Sequence, residues 1–388
     1  MYQSPDSDLA YLDYNATAPT RPEALKATVE AMSAVGNASS THRSGRHAAE
    51  RVDLARRQVA ELLNCAHGEI VFTSGATEAN NLALRAASGI GGRLVTSPVE
   101  HPAVLETAKT ITSGSPDSLM LLPVDADGLV DLDALRKALA TGEVAVVSLM
   151  AANNETGVIT DLGPVVEAAH RAGALVHTDA TQLVGRLPVD LAETDVDLLS
   201  LSAHKFGGPQ GVGALFVRRG TPLPYRPLLI GGGQERGWRA GTLNVPGIAG
   251  AGAAAEAARR ALATEAPRIA QLRDALEDAL VERVGDCRIN GVRSTRLPGV
   301  TSITFNGAPA DAVLAAMPDV AASEGSACSS GAPSPSHVLL AMGHSREEAD
   351  STVRFSLGYA TTAPEIERAA VSAVRAVRHV RAALTAPL

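Results

Sequence analysis

Aromatic side chains are scarce in this sequence of 388 residues, because Phe, Trp and Tyr together make up 3% of it. Cysteine is scarce too. Cys65, Cys287 and Cys328 are widely spaced and form no C-x-x-C pair, which argues against a disulfide framework or a zinc site. No dense run of Lys and Arg occurs, and the formal net charge is −8. A primary role in binding nucleic acid is therefore not expected.

Long apolar runs are also missing, and no stretch has the length needed to cross a bilayer. Residues 1–10 are polar and acidic and lack the apolar region of a signal peptide. We therefore expect a soluble cytoplasmic protein. Hydrophobic residues make up 45% of the chain, and the length indicates two or three domains. The predicted core consists of small and aliphatic side chains and is large enough to hold a buried cofactor.

Short apolar runs alternate with amphipathic segments in the first 220 residues. Seven runs read as strands: 69–73, 93–96, 118–123, 144–150, 174–178, 198–202 and 213–217. Segments 132–140 and 161–172 have a helical pattern. This alternation predicts an α/β fold with a mainly parallel seven-stranded sheet covered by helices. In such sheets, ligands bind at the loops that follow the carboxyl ends of the strands.

The composition changes near residue 250, where an Ala-rich stretch with interleaved charges begins. Residues 248–284 read as a long helix, broken near Pro267. A strand at 300–306, a loop rich in Ser, Gly and Pro at 323–336 and a final helix from Glu365 follow. We predict a large domain at 11–250, and a smaller α+β domain that comprises 251–388 together with 1–10.

Three motifs at strand exits carry candidate chemistry. Lys205 follows the run 197–201, where burial lowers a lysine pKa and leaves a neutral amine able to bond to an aldehyde; taken alone, a surface lysine is the better interpretation. Asp179 follows the run 174–176 and suits a protonated pyridine nitrogen, although alone it reads as a helix cap. Residues 73–81 form a glycine turn that opens a helix, which suits a phosphate or is an ordinary capped turn.

Together these motifs resemble the cysteine desulfurases, members of the class V aminotransferase group with the fold type I architecture of pyridoxal phosphate (PLP) enzymes. The resemblance covers nearly the whole chain. It rests on the segments YLDYNATAP (11–19), GNASS (36–40), SGATE (74–78), NNETG (153–157), HTDA (177–180), SAC (326–328) and RFSLG (354–358). Such a series is far more specific than one glycine motif.

The resemblance implies a role for each matching residue. Lys205 would carry PLP and move protons, and His101 would stack on its ring. Asp179 would pair with the ring nitrogen, and Arg354 would bind the substrate carboxylate. The other implied contacts are Asn154 and Gln182 with the ring, Asn37 with the substrate, Ala76, Thr77, Ser202 and His204 with the phosphate, and Thr242 with the phosphate of a neighbouring subunit. The last contact implies a homodimer with composite active sites.

Cys328 lies among small polar residues, so an accessible thiol is expected there, whereas Cys65 and Cys287 fit small buried hydrophobes. The resemblance is to the branch in which this cysteine rides a flexible loop, receives the sulfur of L-cysteine as a persulfide and passes it to an acceptor protein. L-Alanine would be the other product.

Several alternatives remain at this stage. Another class V enzyme, either an aminotransferase or a selenocysteine lyase, fits most of the same motifs. A catalytically idle scaffold for sulfur-relay proteins is a third interpretation, which the presence of Lys205, His101, Asp179 and Cys328 disfavours. The sequence also leaves the sulfur destination open among iron–sulfur clusters, tRNA thiolation and DNA phosphorothioation.

Overall fold

The computed structural model describes residues 9–325 and 334–385. The helices in these ranges are α1 (Pro22–Met32), α2 (Arg43–Leu63), α3 (Ala76–Ser88), α4 (Pro102–Thr112), α5 (Leu132–Ala140), α6 (Leu162–Arg171), α7 (Val245–Val284), α8 (Ala310–Ala315), α9 (His337–Ala341), α10 (Arg346–Asp350) and α11 (Ala363–Thr385). The strands are β1 (Ala10–Tyr11), β2 (Ile70–Thr73), β3 (Arg93–Thr96), β4 (Leu119–Leu121), β5 (Val144–Ser148), β6 (Leu175–Asp179), β7 (Leu198–Ser202), β8 (Gly213–Val217), β9 (Cys287–Ile289), β10 (Val300–Phe305), β11 (Val320–Ala321), β12 (Ser323–Glu324) and β13 (Thr352–Ser356). No helix within these ranges has the length and apolar character required to span a membrane.

The central sheet has seven strands in the order β2-β8-β7-β6-β5-β3-β4. Only β8 runs against its neighbours, so the sheet is mainly parallel, as predicted. Strands β2, β5, β6 and β7 are buried along their whole length, because helices cover both faces of such a sheet. All seven predicted strands are present; β3, β7 and β8 match the predicted ends, and the other four lie within two residues of them.

A second sheet of four antiparallel strands, in the order β12-β13-β10-β9, follows in the chain. It has its own apolar cluster, which includes Phe305, Phe355 and Val377. The strand pair of β1 with β11 brings Ala10 into the same cluster. These observations fit the predicted α/β fold with a smaller α+β part. The predicted division near Gly250 falls inside α7 and stays a prediction.

Helix α7 runs for 40 residues without a break. The predicted break near Pro267 is therefore wrong, although a proline within a helix removes one backbone hydrogen bond. Ile248 packs in the cluster beneath the large sheet, whereas Leu276 packs in the cluster of the small sheet. Burial along both halves holds the helix together across the proline. Close packing explains Gly252, where a Cβ atom would lie 2.4 Å from Cα of Ala55 in α2.

Candidate active site

The loops that follow five strands of the large sheet meet around one cavity of about 380 Å³. β2, β3, β5, β6 and β7 run in one direction, so their carboxyl ends lie at one edge of the sheet. Nine of the predicted site residues line the cavity: Ala76, Thr77, His101, Asn154, Asp179, Gln182, Ser202, His204 and Lys205. The sequence separates these residues by up to 129 positions, and the strand order brings them together.

One wall of the cavity is the N-terminus of α3. Gly75 is the residue before the helix, and no side chain in the described part of the protein caps the first turn. The backbone N–H groups of Ala76 and Thr77 are therefore free of a side-chain cap, and both residues line the cavity. A helix start of this kind favours an anion through its N–H groups and its dipole. Ser202 and His204 line the same cavity.

Asp179 ends β6 and is buried. Its Oδ2 accepts a hydrogen bond of 2.7 Å from Asn80 Nδ2, and its Oδ1 accepts one of 3.0 Å from the backbone N–H of Thr181. These donors fix the carboxylate at the wall of the cavity. A buried carboxylate so placed suits a cationic partner, such as a protonated ring nitrogen.

Three other side chains that line the cavity have a buried oxygen without a hydrogen-bond partner in the described part of the chain. These atoms are Oδ1 of Asn80, Oγ1 of Thr181 and Oε1 of Gln182. Leaving a buried polar atom without a partner costs free energy. The three atoms therefore indicate a polar ligand in the cavity.

Lys205 ends the short 3-10 turn that follows β7. Its Nζ donates to the backbone oxygens of Asn15 and Ala16, the latter at 2.9 Å. The motif at 11–19 thus contacts a residue that lines the cavity. His204, beside it, bonds to Thr17 Oγ1 through Nδ1 at 3.1 Å, and burial lowers the pKa of His204 to about 4. The imidazole is neutral near pH 7 and adds no charge next to the lysine.

His101 is the residue before α4, and its Nδ1 accepts a hydrogen bond of 3.0 Å from the backbone N–H of Ala103. Burial lowers the pKa of His101. The ring is then neutral, and the proton is on Nε2, because Nδ1 is already an acceptor. A neutral ring suits stacking and proton transfer in the cavity.

Glu100, immediately before His101, is a buried acid for which the sequence analysis gave no role. Its Oε1 accepts from Ser97 Oγ at 3.0 Å and from the backbone N–H of Met150 at 2.9 Å. Burial raises the pKa of Glu100 to about 8. The side chain is therefore largely protonated at pH 7, and it joins the loop after β3 to the loop after β5.

We expect Glu100→Gln to stabilise the protein in alkaline solution. The folded-state pKa of about 8 lies above the unfolded value of about 4.3, so the wild type loses stability as pH rises between these values. Glutamine keeps the Oε1 acceptor and cannot ionise. Melting temperatures at pH 5.5, 7 and 9 should show the gain of the variant over wild type growing from pH 5.5 through pH 7 and reaching several degrees at pH 9. Glu106→Gln, at an exposed residue, is the control. If the melting temperatures of Glu100→Gln and wild type depended on pH in the same way, the raised pKa of Glu100 would be refuted.

Arg354 lies in β13 and is 1% exposed. It donates to the backbone oxygen of Asn154 at 3.1 Å and to Asp13 Oδ1 at 2.8 Å. Its Nε has no partner in the described part of the protein. Asn154 lines the cavity, so the guanidinium of Arg354 contacts a residue of the cavity wall. Arg354 does not itself line the cavity.

Two predicted site residues lie elsewhere on the chain. Asn37 and Thr242 are exposed and do not line the cavity. Cys328 lies outside the described residues. The structure therefore brings together nine of the predicted residues, places Arg354 next to them and leaves the roles of Asn37, Thr242 and Cys328 as predictions.

Sequence reasoning missed Asn80 and Asn15. Asn80 was quoted in the motif at 73–81 without a role; a helical spacing of four from Ala76 places both on one face of α3, and this was the signal available. Asn15 Nδ2 donates to the backbone oxygen of Asn154 at 2.8 Å, and the backbone oxygen of Asn15 accepts from Gln182 Nε2 at 3.1 Å. No local pattern could reveal these contacts.

The family model described as aminotransferase class-V matches residues 10–369. A cysteine desulfurase of Cereibacter sphaeroides is 46% identical over 365 residues, which are 92% of this chain and 93% of that protein. The X-ray structure of a NifS-like protein from Rickettsia africae has a TM-score of 0.87 and 32% identity, covering 96% of this chain and all of that one. The structure of SspA in complex with cysteine has a TM-score of 0.78 and 31% identity, covering 90% of this chain and 98% of that one.

Proposed function

The chain belongs to the class-V aminotransferase family and, within it, to the cysteine desulfurases, and we propose that it uses pyridoxal 5′-phosphate to convert L-cysteine to L-alanine. The observation that carries this proposal is the meeting of Lys205, Asp179, His101 and the open N-terminus of α3 at one cavity. A similar protein has been solved with cysteine bound. When bound, PLP supplies an aldehyde for a covalent bond and a ring that withdraws electrons from the substrate α-carbon.

The residues present fit this cofactor. The N–H groups at Ala76 and Thr77, with Ser202 and His204, would bind the phosphate. Asp179 would pair with the protonated ring nitrogen, and the two amide donors that fix it keep its charge in place. Gln182 and Asn154 would contact the ring hydroxyl side. The unpartnered Gln182 Oε1 supports this assignment.

Lys205 would hold the cofactor and move a proton to and from the substrate α-carbon. His101, held neutral by burial, would stack on the ring and carry a proton on Nε2. Arg354 would bind the substrate carboxylate through its guanidinium, and Asn37 would help to orient the substrate. Arg354 donates a hydrogen bond to the backbone oxygen of Asn154. This bond would fix the position of the residue that binds the substrate carboxylate relative to a residue that contacts the ring.

Cys328 would receive the sulfur. The Cβ–S bond of cysteine breaks, an S–S bond forms at Cys328, and a proton replaces sulfur on Cβ, so that the products are L-alanine and a Cys328 persulfide. An acceptor protein then takes the outer sulfur. Iron–sulfur clusters, tRNA thiolation and DNA phosphorothioation remain the predicted destinations, and a cytoplasmic location likewise remains a prediction.

A homodimer with composite active sites is part of the proposal. Thr242 is exposed, and the segment before it carries Tyr225 and Ile230, which are 62% and 89% exposed. Exposed apolar side chains in the segment that leads to a predicted inter-subunit residue support an interface there. Thr242 would then bind the phosphate of the partner subunit.

The direct test measures products from L-cysteine with PLP and a thiol reductant. We expect alanine and sulfide in equal amounts, because each turnover breaks one C–S bond and the reductant releases the outer sulfur. L-Selenocysteine and pairs of amino acids with keto acids serve as comparison substrates. Amino-group transfer without alanine and sulfide release would indicate an aminotransferase, and reaction with selenocysteine alone would indicate a selenocysteine lyase. Protein that binds PLP and turns over nothing would indicate an idle scaffold.

A further inference from the structure

Glu155 is a buried carboxylate in the loop after β5, and its exposed fraction is 2%. Its Oε2 accepts a hydrogen bond from Ser336 Oγ at 2.5 Å. A Cβ atom on Gly325 would lie 2.6 Å from the same oxygen. Gly325 and Ser336 flank the part of the chain that contains Cys328. One carboxylate oxygen therefore bonds to one end of that part of the chain and lies close to the backbone of the other end.

Two hydrogen bonds connect the end that begins at Ser336 to residues beside the cavity. Ser336 Oγ also accepts from the backbone N–H of Leu339 at 3.1 Å, so that it caps α9 while it donates to Glu155. The next residue, His337, donates from Nε2 to the backbone oxygen of Glu100 at 2.9 Å. Glu155 adjoins Asn154, and Glu100 adjoins His101. The start of α9 thus contacts Glu155 and Glu100, each of which is adjacent in sequence to a residue that lines the cavity.

The end at Gly325 is held by the strand that carries Arg354. β12 pairs antiparallel with β13, and Ser323 lies opposite Arg354. Arg354 donates to Asn154 O, and its positive charge also acts on Glu155. Burial raises the pKa of Glu155 to about 7, while Ser336 and Arg354 oppose the rise. The hydrogen bond from Ser336 and the charge of Arg354 thus both favour the ionised form of Glu155.

We propose that Glu155 is a positioning residue for sulfur transfer, because its carboxylate bonds to Ser336 on one flank of the Cys328 segment and packs closely against Gly325 on the other. It acts on the placement of Cys328 and not on the binding of cysteine. This inference rests on the proposed function, since it concerns the step in which Cys328 takes the sulfur.

Steady-state kinetics of Glu155→Ala, Ser336→Ala and the double variant test the proposal. We expect each to lower kcat for alanine formation by about tenfold, the size expected for losing a hydrogen bond to a charged group. KM for L-cysteine and the cofactor absorbance should stay at wild-type values. The double variant should be no worse than either single variant, because both remove one interaction. Glu155→Gln, which keeps an acceptor for Ser336, should recover most of the rate.

Ser345→Ala is the matched control, since Ser345 caps α10 by accepting from the backbone N–H of Glu348 at 3.2 Å, as Ser336 caps α9. It should leave kcat unchanged. If Glu155→Ala fails to fold, Gly325→Ala replaces it, because the new Cβ would displace the carboxylate oxygen and should lower kcat in the same way. Wild-type kcat in Ser336→Ala and Gly325→Ala would overturn the proposal, as would additive losses in the double variant.

A second readout does not depend on turnover. The rate at which iodoacetamide alkylates Cys328 without substrate, followed by peptide mass, should change several-fold in Glu155→Ala and in Ser336→Ala, with Cys65 and Cys287 unaffected. Equal rates in wild type and variants would contradict the positioning role. If wild type forms no alanine, the proposed function fails, and the alkylation rates still decide whether Glu155 positions Cys328.

Discussion

Lys205→Ala should abolish alanine formation from L-cysteine and remove the absorbance of bound cofactor. The lysine lies at the cavity edge in a turn fixed by β7, and no other lysine lines the cavity in the described part of the protein. Proton transfer by one positioned group contributes roughly 10²–10⁴-fold to a rate, and the covalent hold on the cofactor would be lost as well. We expect a fall of at least about 10³-fold, measured as alanine formed per active site.

Lys205→Arg is the informative companion. Arginine keeps a positive charge and can still donate to the backbone oxygens of Asn15 and Ala16, which are the lysine's partners here, but it does not form the covalent bond at neutral pH. It should be as inactive as the alanine variant while keeping the melting temperature of wild type. Activity in Lys205→Arg above a few per cent of wild type would show that the lysine acts only through its charge.

The central sheet was predictable because most of its strands are buried on both faces and read as continuous apolar runs. The predicted ends failed where tertiary contacts decide them. The run 144–150 was predicted as one strand, but β5 ends at Ser148, and the N–H of Met150 donates to Glu100. The two-residue strands β1, β11 and β12 were missed because a pair of residues has no measurable periodicity.

The site residues likewise divide into those that a local sequence pattern predicts and those that tertiary contacts decide. Residues in a strand-exit motif, such as Asp179 and Lys205, were predicted because motif and strand lie within a few residues of each other. The contact of Arg354 with Asp13 spans 341 positions, and that of Ser336 with Glu155 spans 181. Contacts of such sequence separation depend on the docking of the two sheets, which no local pattern encodes. The buried acid Glu155 was missed for this reason.

Cys328→Ser should lower sulfide and alanine release by at least about 10²-fold, because a serine hydroxyl does not replace a thiolate as the nucleophile. The other two thiols provide matched controls with a physical basis. Burial raises the pKa of Cys65 to about 12 and also raises the pKa of Cys287, so both stay protonated near pH 7 and are poor nucleophiles.

Cys65→Ser and Cys287→Ser should therefore keep wild-type rates, and each should lose some stability, since a hydroxyl replaces a half-buried sulfur. Treatment of wild type with L-cysteine in the absence of reductant, followed by peptide mass, should place one additional sulfur atom on the peptide that contains Cys328. The Cys328→Ser variant should still bind PLP and change its absorbance with L-cysteine, because Lys205, Asp179 and Arg354 are intact. Full sulfide release by Cys328→Ser would mean that sulfur leaves the substrate without a protein thiol, and the chain would then act as a lyase.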